Sequence, residues 1–193
     1  MTVRTGMQTL INTVRGFANA GASEWTIETD SAILTFWDDA EIQKVLDHHK
    51  TQHVHSQLKP VVSYEGGVGV YKIHGLGDTD IESGDNFVLS DINGTAITTG
   101  FTVDYSRGLV TFTTDQVGKA LFWDGYAYDL NAAAAEIWRV KASHAAEQVD
   151  WSSDNHSVKK SQLSAAYLKM ADMYSARSKS EGMTTIRIMR GDL

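Results

Sequence analysis

The chain has 193 residues and no cysteine, which excludes disulfide bonds and thiolate metal centres and fits a reducing cytoplasm. It holds one proline, Pro60, so rigid turns and proline-rich linkers are scarce. No apolar run approaches the length of a membrane-spanning helix, because polar residues interrupt every few positions. The opening MTVRTGMQTLINTV lacks a separate apolar core followed by a small-residue cleavage site, so no signal peptide is expected. Basic residues are also short where acidic ones are dense. Residues 60–128 carry three Lys or Arg against nine Asp or Glu, and this third supplies most of the net charge of −7. Neutralising phosphates needs clustered Lys and Arg, so the chain is a poor general nucleic-acid binder. DNA near it would be passed along more readily than gripped.

What is present is ordinary for a soluble globular protein. Apolar residues make up 42% and charged residues 21%, and the length is enough to bury a real core. Val3, Met7, Leu10, Ile11, Val14, Phe17 and Ala18 recur at helical steps, and NAGAS at 19–23 closes that helix with turn chemistry. EWTIETDSAIL reads as a short extended stretch. FWDDAEIQKVLDHHK then reads as a second helix with Asp38 as N-cap, Glu41 three positions on, and Ile42, Val45, Leu46 and His49 facing inward.

After Pro60 the period switches from helical to two. Turn signals at INGT (92–95), SRG (106–108) and Asp124-Gly125 divide residues 61–128 into six to eight short antiparallel strands. From Asp129 the helical period returns, with Leu130, Ala134, Ile137, Trp138, Lys141 and Ala145 on one face. DWSSDNHS at 150–157 reads as a polar turn. Leu163, Tyr167, Met170, Ala171 and Tyr174 mark a last helix that ends near Gly182. MTTIRIMRGDL, residues 183–193, alternates like a strand without a partner nearby in sequence.

The expected fold is therefore α+β: a helical bundle domain of about four helices, an inserted antiparallel β module and an extended C-terminal arm. Its expected divisions are 1–59, helical domain, first part; 60–128, inserted β domain; 129–182, helical domain, second part; and 183–193, tail.

The strongest chemical signal is HHKTQHVH, residues 48–55, with four of the seven histidines. On a helix His49 and His53 would stand at i and i+4, the spacing of paired zinc ligands. The intervening Lys50, Thr51 and Gln52 supply no glutamate in the catalytic place, and no third ligand is nearby. The histidines therefore read as polar residues at a helix end and its exit loop. No GxSxG frame is present, and GGVG at 66–69 is too short for a phosphate loop. No enzyme activity, metal or other cofactor is expected. If Asp124-Gly125 is a turn, Trp123 should face Tyr126 and Leu121 should face Tyr128, which raises a carbohydrate or protein-binding platform of Trp123 and Tyr126 as an alternative function. Arg190-Gly191-Asp192 matches the adhesion tripeptide, at a length that recurs by chance.

The final third resembles the C-terminal helical pair of head-to-tail connector (adaptor) proteins of tailed bacteriophages. The likeness rests on the alanines at 132–135, on Asp150-Trp151-Ser152-Ser153-Asp154, on Ser157 with Lys159-Lys160, and on Ser161-Gln162. WDDAEIQKVLD is similar to a helix in the first part of that family, and FTVDYSRGLVTF to insertions in its longer members. The resemblance implies a structural, non-enzymatic protein of the virion neck, assembled in the bacterial cytoplasm. Its copies would form a ring, commonly of about twelve, beneath the portal protein. That ring extends the DNA channel, lets genomic DNA pass without sequence-specific binding and carries a head-closure or tail protein, with no membrane partner. It also implies a C-terminal segment that docks on the portal. Thr185, Ile186, Arg187, Ile188, Met189 and Arg190 suit that role, since an extended segment gains main-chain pairing on another subunit.

Overall fold

The computed structural model describes residues 2–28, 33–147, 151–153, 156–158 and 160–179. Helix α1 (Gln8–Ala18) buries Leu10, Ile11, Val14 and Ala18 along one stripe and stops at Asn19, which takes a left-handed conformation at φ 45°. Helix α2 (Asp39–His48) starts as the sequence reads, with the Asp38 carboxylate accepting the Glu41 N–H at 2.8 Å. Helix α3 (Leu130–Ala146) is capped in the same way by Asp129, which accepts the Ala132 N–H at 2.9 Å. These three helices share one core, in which Met7, Ile11, Val14, Trp37, Ile42, Leu46, Ala133 and Ile137 meet Tyr128. Helix α4 (Lys160–Ser175) lies against α3, with Trp138 packed on Tyr167 and Phe17 stacked on Tyr174.

A second core sits between two four-stranded antiparallel sheets. One has the order β3 (Lys50–Gln57), β10 (Leu121–Tyr128), β6 (Val88–Asp91), β7 (Ala96–Ile97). The other runs β4 (Lys59–Glu65), β5 (Val68–Gly75), β9 (Leu109–Phe112), β8 (Phe101–Asp104). Leu58, Leu76, Leu89, Val110, Phe112, Leu121 and Trp123 fill the space between them. Two small hairpins complete the fold: β1 (Trp25–Glu28) with β2 (Ile33–Phe36), and β11 (Trp151–Ser153) with β12 (His156–Val158).

The chain is α+β, but it is not a helical bundle with a β insertion. Strands hold more of the described residues than helices do, and they begin well before Pro60. The decisive segment is residues 50–57, expected as a helix end and exit loop. It forms β3, an outer strand whose side chains are mostly in water. A strand at a sheet edge with a solvated face needs few apolar residues, so KTQHVHSQ shows no period-two hydrophobic pattern. The polar stretch 150–157, read as a turn, likewise holds β11 and most of β12, which ends at Val158.

Two turn readings also change. Asp124-Gly125 is not a turn, because β10 runs straight through it with a bulge against β3 between His53 and Ser56. Glycine suits the packing there, since a Cβ on Gly125 would sit 3.0 Å from the Trp123 ring and crowd it. INGT does make the β6–β7 hairpin, though not with two residues at positive φ. Asp91 pairs with Thr95 across a three-residue loop in which only Gly94 is left-handed, and the Asp91 carboxylate accepts the Asn93 and Thr95 N–H groups.

Candidate functional site at the junction of helices and sheets

The helical core and the β core meet where β10 ends at Tyr128 and α3 begins at Asp129. Arg4 enters this junction from the N-terminal segment and donates both terminal nitrogens to Asp47 of α2, each at 2.7 Å. Its Nε donates to Glu82 at 3.1 Å, and Glu82 has no solvent exposure at all. The Glu82 carboxylate also accepts the Tyr128 hydroxyl at 2.6 Å and the Asn86 amide at 2.9 Å. The Arg4 main-chain N–H is held by Gln43 at 2.7 Å. A buried carboxylate is tolerated when its lone pairs are filled and a cation is at hand, and both conditions hold. The hydrogen bond to Asp47 makes the Arg4 guanidinium still harder to deprotonate. Burial, with the hydrogen bond to Glu82, pushes the Tyr128 phenol up. For Asp47 burial works upward, but the hydrogen bonds and charge of Arg4 prevail and hold its carboxyl below the usual range.

Beside this network lies a cavity of about 700 Å³ walled by His49, Thr51, Asp78, Asp129, Ala132 and Lys179. Lys179, just past α4, donates through Nζ to Asp78 at 2.6 Å, the Thr79 carbonyl at 3.0 Å and the Tyr128 carbonyl at 3.1 Å. Its main-chain N–H donates to Asp129, the residue that also caps α3. Burial favours a higher pKa for Asp78, yet Lys179 holds it below the usual range, while burial raises neighbouring Asp80. The end of α4 is thus tied to both the sheet and the start of α3.

The histidines do not converge. His48 ends α2 and His49 caps it, and their rings meet the two oxygens of Glu136 on α3 at 3.1 and 2.7 Å. His53 belongs to β3, where it stacks on Trp123 and reaches Asp78 at 3.3 Å. The i, i+4 spacing that a continuous helix would give His49 and His53 is not formed, because the helix ends between the two residues, and the segment expected as an exit loop is a strand. Among the described residues no three His, Asp or Glu side chains are grouped to hold a metal ion.

Trp123 and Tyr126 do not make a platform. They lie on one strand, with Trp123 wholly buried and donating Nε1 to the Leu76 carbonyl at 3.0 Å, and Tyr126 on the opposite face, partly buried against the helical core. Leu121 and Tyr128 are on that strand too and are not paired with each other. GGVG forms the β4–β5 turn and the start of β5. Thr185, Ile186, Arg187, Ile188, Met189 and Arg190, with the Arg190-Gly191-Asp192 tripeptide, lie outside the described residues.

Sequence reasoning did not find the junction residues Arg4, Asp47, Glu82 and Lys179. Arg4 and Glu82 are 78 positions apart, and neither sits in a recognisable motif. The one local hint was Asp78-Thr79-Asp80, a small acidic cluster in a turn.

His74 of β5 is a separate oddity. It is buried edge-on against Phe112, and its Nδ1 has no hydrogen-bond partner among the described residues. Burial lowers its pKa, against an opposing hydrogen bond with the Lys72 backbone. Its folded pKa lies below the unfolded value of about 6.5. The unfolded chain therefore takes up the proton first as pH falls, and stability drops below that value. Unfolding measured from pH 7.5 to 5 should show the wild type losing this increment and His74→Leu lacking it. Parallel pH profiles for the two proteins would show that His74 is not held neutral by the fold.

No helix among the described residues is long and apolar enough to cross a membrane. Comparison of the chain with protein-family models, with curated proteins and with solved structures finds no match.

Proposed function

We propose that the chain is a structural head-to-tail adaptor of a tailed-phage neck, a ring component beneath the portal that extends the DNA channel. The observation that carries this reading is a pair of β ribbons that leave the body with large apolar side chains in water. The β1–β2 hairpin is rooted on the helical core by Trp25 and Phe36, pairs with no other strand among the described residues and exposes Ile27, Ile33 and Leu34. The β4–β5 ribbon extends past its sheet, because β9 pairs with β5 only from Ile73 to Gly75. It exposes Val61, Val62, Tyr64 and Val68. A free monomer gains nothing from such projections, whereas a subunit that must grip neighbours does. The acidic middle third suits a surface past which DNA slides, since carboxylates repel phosphates. The resemblance of the helical segments adds the portal as partner and residues 183–193 as the docking segment. A virion-neck location follows from this reading. The carbohydrate alternative loses its support with the burial of Trp123.

The test is the mass of the particle formed when the protein is mixed with the portal protein of the same phage. A ring on the portal is expected for the full chain. Deletion of residues 183–193 should leave the melting temperature nearly unchanged while abolishing co-purification with the portal. A truncated chain that still co-purifies would remove the docking role, and a full chain that stays monomeric would remove the adaptor reading.

A further inference from the structure

At one end of the β module a groove of about 660 Å³ opens between the sheets, walled by Ile97, Phe112, Ala120 and Leu121. Ile92 on its rim is 65% exposed, and neighbouring Val117 is 63% exposed. The rim also carries Lys119, which donates to Gln116 at 3.0 Å and makes no ion pair among the described residues. The β4–β5 ribbon presents the complementary set. Tyr64 and Val68 at its tip are 76% and 67% exposed, and Glu65 stands between them, paired among the described residues only with Lys72 of its own ribbon.

The ribbon starts at the groove's own rim, where the Tyr71 N–H donates to Asp115 and the Tyr71 carbonyl accepts the Gln116 N–H. None of its tip residues lines the groove. We propose that the ribbon tip of one copy seats in the groove of the next, with Tyr64 and Val68 against the apolar walls and Glu65 facing Lys119. This rests on the ring reading above and names the contact that would build the ring.

Charge and apolar character both favour a second copy as the occupant. An apolar tip with one carboxylate meets a groove with apolar walls. The groove's rim carries Lys119, bonded only to the neutral Gln116 side chain among the described residues, and Asp91, whose carboxylate is engaged by the Asn93 and Thr95 N–H groups. Burial and charge therefore agree on the register that sets Glu65 at Lys119. Each copy carries one tip and one groove, so the contact is head-to-tail. Such contacts repeat until a rotation closes them into a ring. Tip-to-tip pairing of two β4 edges would instead stop at a dimer and leave both grooves empty.

The absence of cysteine makes the contact directly testable. Val68→Cys on the tip and Ile92→Cys on the rim both replace exposed side chains, so neither should disturb the fold. Treated with a short bis-maleimide over a concentration series and on the portal, the double variant should give a ladder of dimer, trimer and higher species on denaturing gels. A mixture of the two single variants should stop at dimer, and Val68→Cys alone should give none. Tyr64→Asp added to the double variant should erase the ladder. A dimer from Val68→Cys alone overturns the proposal in favour of tip-to-tip pairing. A particle of ring mass that yields no ladder overturns it while leaving the adaptor reading intact. A chain that stays monomeric even with the portal removes both.

Discussion

Replacing Arg4 by methionine is expected to destabilise the protein by about 3 kcal/mol, at the low end for orphaning a buried carboxylate. The reason lies in Glu82, which has no exposure and would keep only the Tyr128 hydroxyl and the Asn86 amide. The figure is low because 32% of the Arg4 side chain is accessible, and water screens part of the interaction. Denaturant unfolding of Arg4→Met, Glu82→Leu and the double variant gives a cycle. The double variant should recover only part of the loss. The Glu82 charge is gone, but Asp47, 19% accessible, keeps only the Lys50 ion pair at 3.8 Å among the described residues, and the Tyr128 hydroxyl loses its acceptor. A single-variant loss below about 1 kcal/mol would show the pair to be no stronger than a surface ion pair. The carboxylates paired at the junction, Asp47 with Arg4 and Asp78 with Lys179, set an acid limit. Asp47 and Asp78 have folded pKa values below the unfolded value of about 3.9. Their contribution is complete above that value and is lost as pH falls through the folded pKa of each, so the protein should weaken below about pH 4.

Trp123→Ala should cost about 3–5 kcal/mol, as large-to-small changes at buried aromatic positions do. Trp123 has no exposure, stacks on His53 with ring centres 4.4 Å apart, and donates to Leu76 from the opposite sheet's strand exit. Tyr126→Ala on the other face should cost less, about 1–2 kcal/mol, because its ring is only partly buried at the edge of the helical core, with a Lys50 ammonium at 5.1 Å. Comparable losses for the two would mean that they share an environment, contrary to their places on opposite faces of β10.

The helices were legible because their apolar residues recur at helical steps, and α2 also carries its own N-terminal punctuation. Asp38 and the 3.6-residue stripe through Ile42, Val45 and Leu46 announce α2 without help from the rest of the chain. The hairpin of β8 and β9 was equally plain, since FTVD and LVTF alternate on either side of a glycine turn. What was hidden depended on partners far away in sequence. KTQHVHSQ becomes a strand only because residues 121–128 arrive to pair with it some 70 positions later, and edge placement removes the apolar signature. Asp124-Gly125 looked like a turn because glycine was read as conformational freedom, when its use is to leave room for the Trp123 ring. The junction was hidden for the same reason, since Arg4, Asp47, Glu82 and Tyr128 are ordinary residues until the fold assembles them.

The run from residue 50 to 65 is the outer strand of one sheet and then of the other, switching at Leu58 alone. Leu58 is buried and pinned by its N–H to the Leu121 carbonyl at 2.8 Å. Interstrand hydrogen bonds lie across the strand direction. A pull on the ribbon tip along β4 would therefore reach β3 as a sideways load on all its bonds to β10 together, with Leu58 as the anchor. The load would pass on to α2 through His49 and to the start of α3 through Asp129, whose N–H donates to the His49 carbonyl at 3.0 Å. In mechanical terms the projecting ribbon is the free end of a tie bar running through both layers, so a force on it is carried by the whole subunit rather than peeling one strand away.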